Sequence, residues 1–357
     1  MNPRVLQVIT DADRRGAQVF ASDLGAELDG EFAVRTVALA PGRSGGLDVD
    51  VLGTSRLAPS TLRSLRRAAR GSAVVVAHGS STLPACAAAL LGSGIPFVYR
   101  QISDPVFWTP SASRRLRVRT ALGRARHVVA LWSGSATVLH ERFGVPEERI
   151  TVVPNGVPPR PAVDAGARTR ARARFELAAD EPVVAYVGAL VPEKGIADLV
   201  RALASVPARL LVAGEGPERS GLEVLARECA PDRVSFLGSV DDPSSVYGAA
   251  DVVVLASRGG DSMPAVLIEA GLTGVPCVAT PIDAIPEVVV DGETGVLVAP
   301  GDVGALAEAL RELLQDPDRR RRLGAAARAH CAARFTISVV AEQWAGVLRR
   351  VLAGARR

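Results

Sequence analysis

The chain has 357 residues, of which 48% are hydrophobic and 22% charged, with 34 glycines and 24 prolines. This composition is too apolar for a disordered chain, and it shows neither the triplet period of collagen nor the charge content of a coiled coil. The formal net charge is +4, and no apolar run reaches the ~18 residues that a membrane span needs.

The N-terminal segment and the cysteines indicate the compartment. Met1-Asn2-Pro3-Arg4 leads directly into a strand-like segment, so we expect no signal peptide. The cysteines form no CxxC motif, which favours small buried side chains in a reducing environment over a disulfide framework or a zinc cluster: Cys86, Cys229, Cys277 and Cys331. We therefore expect a cytoplasmic protein.

The charge differs between the two halves. Residues 1–160 carry 20 arginines against 12 acidic residues, whereas residues 161–357 carry 22 basic and 26 acidic residues. Opposite signs, +8 and −4, indicate two domains with different partners. Of the 42 basic residues 41 are arginine, and Lys194 is the single lysine. In a chain with this bias, a compact ammonium group at one position indicates a specific role.

Short apolar runs alternate with amphipathic segments in the first half. The runs predict strands over Arg4–Thr10, Ala33–Ala40, Ala73–His78, Pro96–Gln101, His127–Leu131 and Ile150–Val153. The segments between them predict helices, including Ala17–Leu28, Ser60–Arg70, Ser81–Leu91 and Ala136–Phe143. The alternation predicts a parallel sheet covered on both faces, which is the doubly wound pattern.

A Pro-rich stretch, 155–161, interrupts this alternation and reads as a linker. After a polar helix near Arg168–Phe175, further strands are predicted over Val183–Val187, Leu210–Ala213, Val234–Leu237, Asp251–Leu255, Pro276–Ala279 and Gly295–Val298. The chain then closes with three predicted helices, Val303–Leu314, Arg319–Arg334 and Ile337–Leu352.

The sequence therefore predicts an α/β protein with two Rossmann-like doubly wound domains facing each other across a cleft. We expect an N-terminal domain over residues 1–160 and a second domain over 161–335. Residues 336–357 are expected to form a final helix that crosses back to the N-terminal domain. Because such sheets bind ligands at the carboxyl ends of their strands, the cleft is the expected binding place.

Lys194 lies where a predicted strand passes into a helix. The strand ends at Gly188, and the helix is expected to start near Gly195. Glycines at both ends let backbone N–H groups approach a ligand, and a helix N-terminus favours an anion. A lysine at this place adds a mobile positive charge for phosphate oxygens. The alternative is that Lys194 is an ordinary solvated loop residue. This is disfavoured because Lys194 is the only lysine in the chain.

Two acids, Asp261 and Glu269, flank the start of another predicted helix. Pro264 suits the first turn, where a missing N–H costs nothing, and the next N–H groups form an anion site. Glu269 lies within an apolar stretch, where an idle carboxylate is costly. Ordinary roles remain open: Asp261 as a capping residue and Glu269 as a surface acid. Together the acids are placed to hold one extended ligand at two points.

These segments resemble the GT-B glycosyltransferases of family four. Residues 187–195 resemble the family's glycine–lysine segment, and Asp261 with Glu269 resembles its signature of two acids separated by seven residues. Further matches follow in family order and spacing at 214–217, 236–238, 286–288 and 291–298. Looser matches occur in the first half at 16–18, 78–79 and 152–157. The resemblance spans essentially the whole chain and is strongest from 181 to 300.

The resemblance implies a retaining transferase that moves a sugar from a nucleoside-diphosphate donor to an acceptor. It implies that Lys194 and Asp261 are catalytic, with Lys194 neutralising the leaving diphosphate and Asp261 facing the donor sugar. Glu269 is implied to accept from the ribose hydroxyls, and the base to lie near 238–240. The implied donor-binding set is Gly188, Lys194, Gly238, Val240, Asp261, Ser262, Met263, Pro264, Ala265 and Glu269.

On the acceptor side, the resemblance points to Gly16 and Ala17, with His78 and Arg100 as further candidates. The acceptor stays open between a small molecule, a lipid-linked sugar and a glycan. Lysine and a helix terminus supply the positive charge that a divalent metal supplies elsewhere, so we expect no metal and no cofactor besides the nucleotide-sugar co-substrate.

Three departures from the family pattern stand out. Ala189 occupies the position of a usual arginine or lysine, and Arg258 is the candidate to replace that cation. Asp261 is shorter by one methylene than the commoner glutamate. The usual histidine after Val98-Tyr99 is missing, so its role falls to Arg100, Gln101 or Asp104, with His78 as the other candidate.

Two weaker signals have ordinary explanations. Asp11 and Asp13 have the spacing of a metal-binding pair, but turn and helix-start chemistry accounts for them. Residues Arg114–Arg126 include six arginines, which indicate a solvated helix face or, alternatively, peripheral contact with an anionic membrane or a phosphorylated acceptor. Nucleic acid is disfavoured because aromatic residues make up only 4% of the chain.

Two other function classes remain open. One is a sugar phosphorylase or nucleotide-sugar epimerase of the same architecture. The other is a non-catalytic nucleotide-sugar-binding protein, for which Ala189 and the missing histidine speak.

Overall fold

The chain folds into two compact units in a computed structural model that describes residues 2–42, 46–103, 106 and 109–355. The first unit comprises Met1–Pro158 together with Phe335–Arg357, and the second comprises Pro159–Arg334. The boundaries predicted from the sequence, after residues 160 and 335, lie within two residues of these.

The first unit is built on a seven-stranded parallel sheet of order β3-β2-β1-β4-β5-β6-β7. Its strands are β1 (Arg4–Asp11), β2 (Ala33–Ala40), β3 (Asp50–Val51), β4 (Val74–His78), β5 (Phe97–Arg100), β6 (His127–Ala130) and β7 (Ile150–Val152). Its first five helices are α1 (Gly16–Leu28), α2 (Pro59–Ala68), α3 (Thr82–Ala89), α4 (Ala112–Arg124) and α5 (Ser133–Phe143). Val5 and Leu6 enter cores on opposite faces of the sheet, as expected for alternating side chains of a doubly covered strand.

The second unit is built on a six-stranded parallel sheet of order β10-β9-β8-β11-β12-β13. Its strands are β8 (Val183–Val187), β9 (Arg209–Ala213), β10 (Val234–Gly238), β11 (Val252–Leu255), β12 (Cys277–Ala279) and β13 (Gly295–Leu297). Its helices are α6 (Ala165–Arg174), α7 (Ile196–Ala202), α8 (Arg219–Cys229), α9 (Ser244–Ala249), α10 (Ala265–Thr273), α11 (Ile285–Val288), α12 (Val303–Gln315) and α13 (Pro317–Arg334).

The last helix, α14 (Ile337–Ala355), belongs to the first unit. Trp344 is completely buried and lies in one core with Val5, Phe20 and Val76. The linker is fastened at the same place, because the Val157 N–H donates to the Phe335 carbonyl at 3.0 Å. Within the described residues, no helix combines the length and the apolar character needed to cross a membrane.

All twelve predicted strands are present with ends within one residue, which confirms the doubly wound pattern in each unit. The two-residue strand β3 was not predicted. It lies at the edge of its sheet with both residues exposed, so it lacks the apolar run by which the other strands were found.

Candidate functional site

Lys194 is held at the carboxyl edge of the second sheet. It ends a short 3-10 helix, Pro192–Lys194, and is followed by Gly195 in the left-handed conformation at φ +63°. A Cβ on Gly195 would lie 2.0 Å from the Ala256 carbonyl oxygen. Only glycine therefore lets this turn pack against the residue that follows β11. Helix α7 begins directly afterwards, as predicted, but has only seven residues.

The two predicted catalytic residues lie together. The Lys194 Nζ is 2.6 Å from Asp261 Oδ1, and the Ser257 hydroxyl donates to Asp261 Oδ2 at 2.6 Å. The Asp261 side chain is 8% exposed and that of Lys194 22%, so the ion pair is largely shielded while the ammonium keeps access to solvent. An anionic ligand that reaches Lys194 therefore competes with a carboxylate already in place.

The start of helix α10 provides backbone donors next to this pair. Pro264 is the residue before the helix, with ψ 120°, rather than a member of the first turn as predicted. No side chain caps the helix, so the N–H groups of Ala265 and Val266 have no intrahelical acceptor. The preceding loop is fixed, because Met263 is buried and the Ser262 carbonyl accepts from Ala284 N–H at 2.9 Å.

Glu269 lies in the middle of α10 and is bound by two residues that the sequence did not single out. Its Oε2 accepts from the Tyr247 hydroxyl at 2.8 Å and lies 3.5 Å from Arg160 Nη2. Burial raises the pKa of Glu269, while Arg160 and Tyr247 counteract that shift. Arg160 also donates to Asp242 Oδ1 at 3.0 Å. Glu269 is thus a largely buried carboxylate and not a surface acid.

Glycines bring three strand ends into close contact beside Lys194. A Cβ on Gly214 would lie 1.8 Å from the Gly188 carbonyl oxygen, and Gly214 N–H donates to the Gly238 carbonyl at 2.7 Å. Gly188 and Gly238, both in the predicted donor set, therefore lie on either side of Gly214 at one edge of the sheet. Val240, half-buried, follows two residues after β10.

Arg258, the candidate to replace the cation missing at Ala189, is ion-paired with Asp198 in this structure. Its Nε and Nη2 donate to the two carboxylate oxygens of Asp198 at 2.8 and 2.6 Å, and its backbone N–H donates to Glu193. Asp198 is a buried carboxylate, which explains why it retains a bidentate arginine. The replacement of the missing cation by Arg258 therefore stays a prediction, which requires the guanidinium to leave Asp198, and Ala189 itself is exposed.

In the first unit, His78 is the last residue of β4, and its side chain is buried. It is 2% exposed, its Nε2 lies 2.8 Å from Gln7 Oε1, and its ring contacts those of Phe20 and Trp344. Burial, with a contribution from Arg100, lowers the pKa of His78 well below its usual range. The imidazole is therefore neutral at physiological pH.

Arg100 lies opposite His78 in the β4–β5 register and is 1% exposed. Its Nη2 donates to the Asn155 side chain, and its guanidinium lies 3.7 Å from the centre of the Phe20 ring. Burial lowers the pKa of Arg100 to about 9. Gln101 is also buried and donates to the Ser103 carbonyl at 2.9 Å. Asp104, the third replacement considered for the histidine, lies outside the described residues.

Gly16 and Ala17 begin α1 at the end of β1, and Gly16 is exposed. Asp11 just before them is buried and bound by arginines, with Arg15 at 2.6 Å and Arg56 at 2.9 Å. Because of these contacts, we interpret Asp11 as a structural residue that is held by ion pairs. In the ranges that the structure describes, no three His, Cys, Asp or Glu side chains gather as a metal site would require.

Two family models match the chain. The model described as "Glycosyl transferases group 1" matches residues 167–330, and the one described as "Glycosyltransferase Family 4" matches residues 14–160. Among solved structures, Anabaena Alr3699/HepE in complex with UDP is similar with a TM-score of 0.86 and 22% identity, covering 97% of this chain and 100% of that one. The fold is therefore GT-B.

Curated relatives agree with the family models. The D-inositol 3-phosphate glycosyltransferase of Nocardia farcinica is 35% identical over 72% of this chain and 58% of its own length. The N-acetyl-alpha-D-glucosaminyl L-malate synthase of Bacillus anthracis is 31% identical over 52% of this chain and 49% of its own length. The chain thus spans about half of the length of these relatives. It belongs to the GT-B glycosyltransferases of family four.

Proposed function

We propose that this protein is a retaining glycosyltransferase that moves a sugar from a nucleoside-diphosphate sugar to an acceptor without a metal ion. The observation that carries the proposal is the grouping of Lys194, Asp261 and the uncapped start of α10 at one sheet edge. Glu269 lies further along the same helix. A cation with backbone amides, followed by a carboxylate, matches a diphosphate followed by a ribose.

The comparisons support a nucleotide donor. The Anabaena structure contains UDP, and a second structure of that protein contains UDP-glucose. In our proposal the diphosphate contacts Lys194 Nζ and the amides of Ala265 and Val266. The ribose hydroxyls donate to Glu269, and the base lies near Gly238 and Val240.

The reaction breaks the bond between the sugar C1 and the diphosphate oxygen and forms one between C1 and an acceptor oxygen. Negative charge grows on the leaving diphosphate, and fixed donors aimed at such charge typically contribute ~3 kcal/mol each. Both carboxylate oxygens of Asp261 are already engaged, one by the ion pair with Lys194 and the other by the Ser257 hydroxyl. We therefore assign the acceptor proton to the departing diphosphate, and Asp261 to orienting Lys194 and the donor sugar.

Metal independence is part of the proposal. The Lys194 ammonium and the α10 amides are the donors that we assign to the role of a divalent cation. Ala189 removes one cation of the family pattern and Arg258 is bound to Asp198, so Lys194 is expected to carry a large share of diphosphate binding.

The experiment is a panel of nucleotide sugars, each incubated with candidate acceptors in EDTA, with nucleoside diphosphate release as the readout. The wild type should release diphosphate only with a matched donor and acceptor, and Lys194→Ala should lose at least about a hundredfold. NMR of the product anomer tests retention. Binding without release under every acceptor would favour the non-catalytic alternative, and dependence on free phosphate or donor epimerisation would favour the phosphorylase or epimerase.

A further inference from the structure

A cavity of about 620 Å³ lies in the first unit, between helices α3 and α4 and the segment before α2. This volume is in the range of small-molecule sites. The predicted donor-binding residues and the acceptor-side candidates Gly16, Ala17, His78 and Arg100 do not line it, whereas two arginines of the Arg114–Arg126 segment do. Its walls are formed by Arg56, Leu57, Ser80, Ser81, Leu83, Pro84, Pro110, Ser111, Arg114, Arg117, Val118 and Ala121.

Two arginines near the N-terminus of helix α4 line this cavity, although cations are electrostatically favoured at the other end of a helix. Arg114 lies in the first turn and Arg117 in the next, and the first turn has no acid. Neither guanidinium has an ion pair or hydrogen bond anywhere in the described ranges. Because a helix N-terminus carries positive potential, the charge of Arg114 in the first turn is electrostatically unfavourable there, and Arg117 adds a second cation close by. An anion bound beside them would relieve this repulsion.

The side chains facing the cavity follow helical spacing. Arg114, Arg117, Val118 and Ala121 stand at i, i+3, i+4 and i+7, so one face combines two cations with an apolar strip. The lining further includes two apolar residues of α3 and the two serines just before that helix, namely Leu83, Pro84, Ser80 and Ser81. Cationic, hydroxyl and apolar groups thus line one small volume.

The cavity lies next to the expected acceptor side. Ser80 follows β4 by two residues, just after His78. Arg56, on the cavity wall, is ion-paired at 2.9 Å with Asp11, which ends β1 shortly before Gly16. The carboxyl ends of β1 and β4 are neighbours in the sheet, so the cavity and the loop that begins α1 share one edge.

We propose that this cavity binds a phosphate ester that carries an apolar group next to the phosphate. Guanidinium groups bind phosphate oxygens in a bidentate manner, and Arg114 and Arg117 are the unpaired ones here. If the proposed function holds, on which this second step rests, the ligand is the phosphate-bearing part of the acceptor. The apolar group packs against Leu83, Pro84 and Val118.

The test measures binding by calorimetry with two probes. Both are phosphate esters with an apolar group, but one stands for a soluble ligand and the other for a lipid. Phenyl phosphate represents a small soluble ester, and dihexanoyl phosphatidic acid below its micelle concentration represents a lipid. Inorganic phosphate and octyl glucoside each lack one half of the chemistry. The variant Arg114→Glu/Arg117→Glu is compared with Arg115→Glu/Arg119→Glu, which makes the same charge change on the same helix outside the cavity lining.

We expect at least one ester to bind at least about tenfold more tightly than inorganic phosphate and octyl glucoside. The cavity variant should lose that affinity about tenfold or more, and the control variant should keep it. Preference for the phenyl ester identifies a soluble ligand, and preference for the phosphatidic acid identifies a lipid.

Equal losses in both variants would mean general surface attraction, and no loss in the cavity variant would mean another site. Either result overturns the inference. UDP, GDP, ADP and dTDP are titrated into the same preparations. Ester binding without nucleotide binding would contradict only the proposed function. Nucleotide binding without ester binding would contradict only the proposal that the cavity binds a phosphate ester.

Discussion

The Asp261 carboxylate forms an ion pair with Lys194, with its Oδ1 2.6 Å from the Lys194 Nζ. It thereby makes the contact that a phosphate oxygen would make with this ammonium. The carboxylate is fixed from its other side by the Ser257 hydroxyl at 2.6 Å. The ammonium is thus oriented toward Asp261 before any donor binds. In the proposed function a diphosphate has to share or displace this contact, and we therefore expect the ion pair to orient Lys194 while lowering the affinity for the diphosphate.

The first prediction concerns this competition. Asp261→Asn should bind nucleoside diphosphates more tightly than the wild type, by roughly three- to tenfold, because the ammonium loses a competing charge and the site loses one repulsive carboxylate. Sugar transfer should fall, because the proposed contact to the donor sugar and the orientation of Lys194 are both weakened. Calorimetry with UDP, GDP, ADP and dTDP gives the affinity, and diphosphate release gives the activity.

Asp302→Asn is the matched control, because Asp302 is an exposed helix-capping acid of the same unit and the net charge changes equally. Its affinity for the diphosphates should stay at the wild-type value. Weaker binding by Asp261→Asn would contradict the competition and would make Asp261 a required part of the diphosphate site.

A second prediction separates Arg258 from Lys194. Arg258→Ala should leave nucleoside diphosphate affinity within about twofold, because both carboxylate oxygens of Asp198 already hold its guanidinium. The free energy of unfolding should fall only slightly, since the arginine is half-exposed and Arg201 also contacts Asp198. Calorimetric titration of Arg258→Ala and Lys194→Ala with the same nucleoside diphosphates compares the two affinities. A loss as large as that of Lys194→Ala would show that Arg258 leaves Asp198 when the donor binds.

These two residues illustrate what the sequence could predict. Lys194 was identified because it is the only lysine of the chain and stands at a strand-to-helix turn, both of which are local facts. The strands were found because each is a nearly continuous apolar run. Arg258 also follows a strand, but its partner Asp198 lies in helix α7, sixty residues earlier in the chain, and no local pattern encodes that contact.

The same limit applies to Glu269 and to the first unit. The apolar sequence around Glu269 predicted a carboxylate with a function, but Tyr247 and Arg160 reach it from separate segments. Arg100 and His78 were expected at the end of their strands and lie there. Their nearly complete burial depends on Phe20 and on Trp344 of the last helix, which strand patterns alone do not reveal.

A third prediction follows from the buried carboxylate of Glu269. Burial raises its pKa, so it takes up a proton at a higher pH than an exposed glutamate. Only the ionised form accepts from two ribose hydroxyls, and nucleoside diphosphate affinity should therefore fall as the pH drops toward that raised pKa. The affinity ratio of wild type to Glu269→Gln is the measurement, because protonation of the diphosphate cancels in it.

The stability has the opposite pH dependence. Because the folded protein holds the Glu269 proton more tightly than the unfolded chain, its contribution to the free energy of unfolding decreases as the pH rises through the window above the ordinary value. Glu269→Gln should remove that decrease. An affinity ratio that does not vary with pH would show that Glu269 does not bind the ligand as a carboxylate.

A fourth prediction uses His78. Its pKa is far below the usual range in the folded protein, whereas the unfolded chain binds a proton below about pH 6.5. The free energy of unfolding should therefore fall with decreasing pH, by up to about 1.4 kcal/mol per pH unit from this group. His78→Gln should make the decline shallower by that amount in urea titrations between pH 7 and 5. His140→Gln is the control, since its ring is about half-exposed, and an equal change there would refute the assignment to His78.

The last prediction tests whether the turn at Gly195 holds the site together. Gly195→Ala places a Cβ 2.0 Å from the Ala256 carbonyl oxygen at a φ of +63°. The left-handed conformation alone costs an alanine roughly 1–2 kcal/mol. Relief of the clash must move either Lys194 or the Ala256–Ser257 segment, and Ser257 fixes Asp261. Stability and nucleoside diphosphate affinity should therefore fall together.

Gly221→Ala is the matched control, because a Cβ at that exposed position of helix α8 has nothing within 4 Å. Alanine there should raise the free energy of unfolding by about 0.5–1 kcal/mol and leave ligand affinity unchanged. Urea unfolding and calorimetry on both variants give the two quantities. A Gly195→Ala protein that loses stability yet keeps its nucleotide affinity would mean that this turn supports the fold without positioning Lys194 and Asp261.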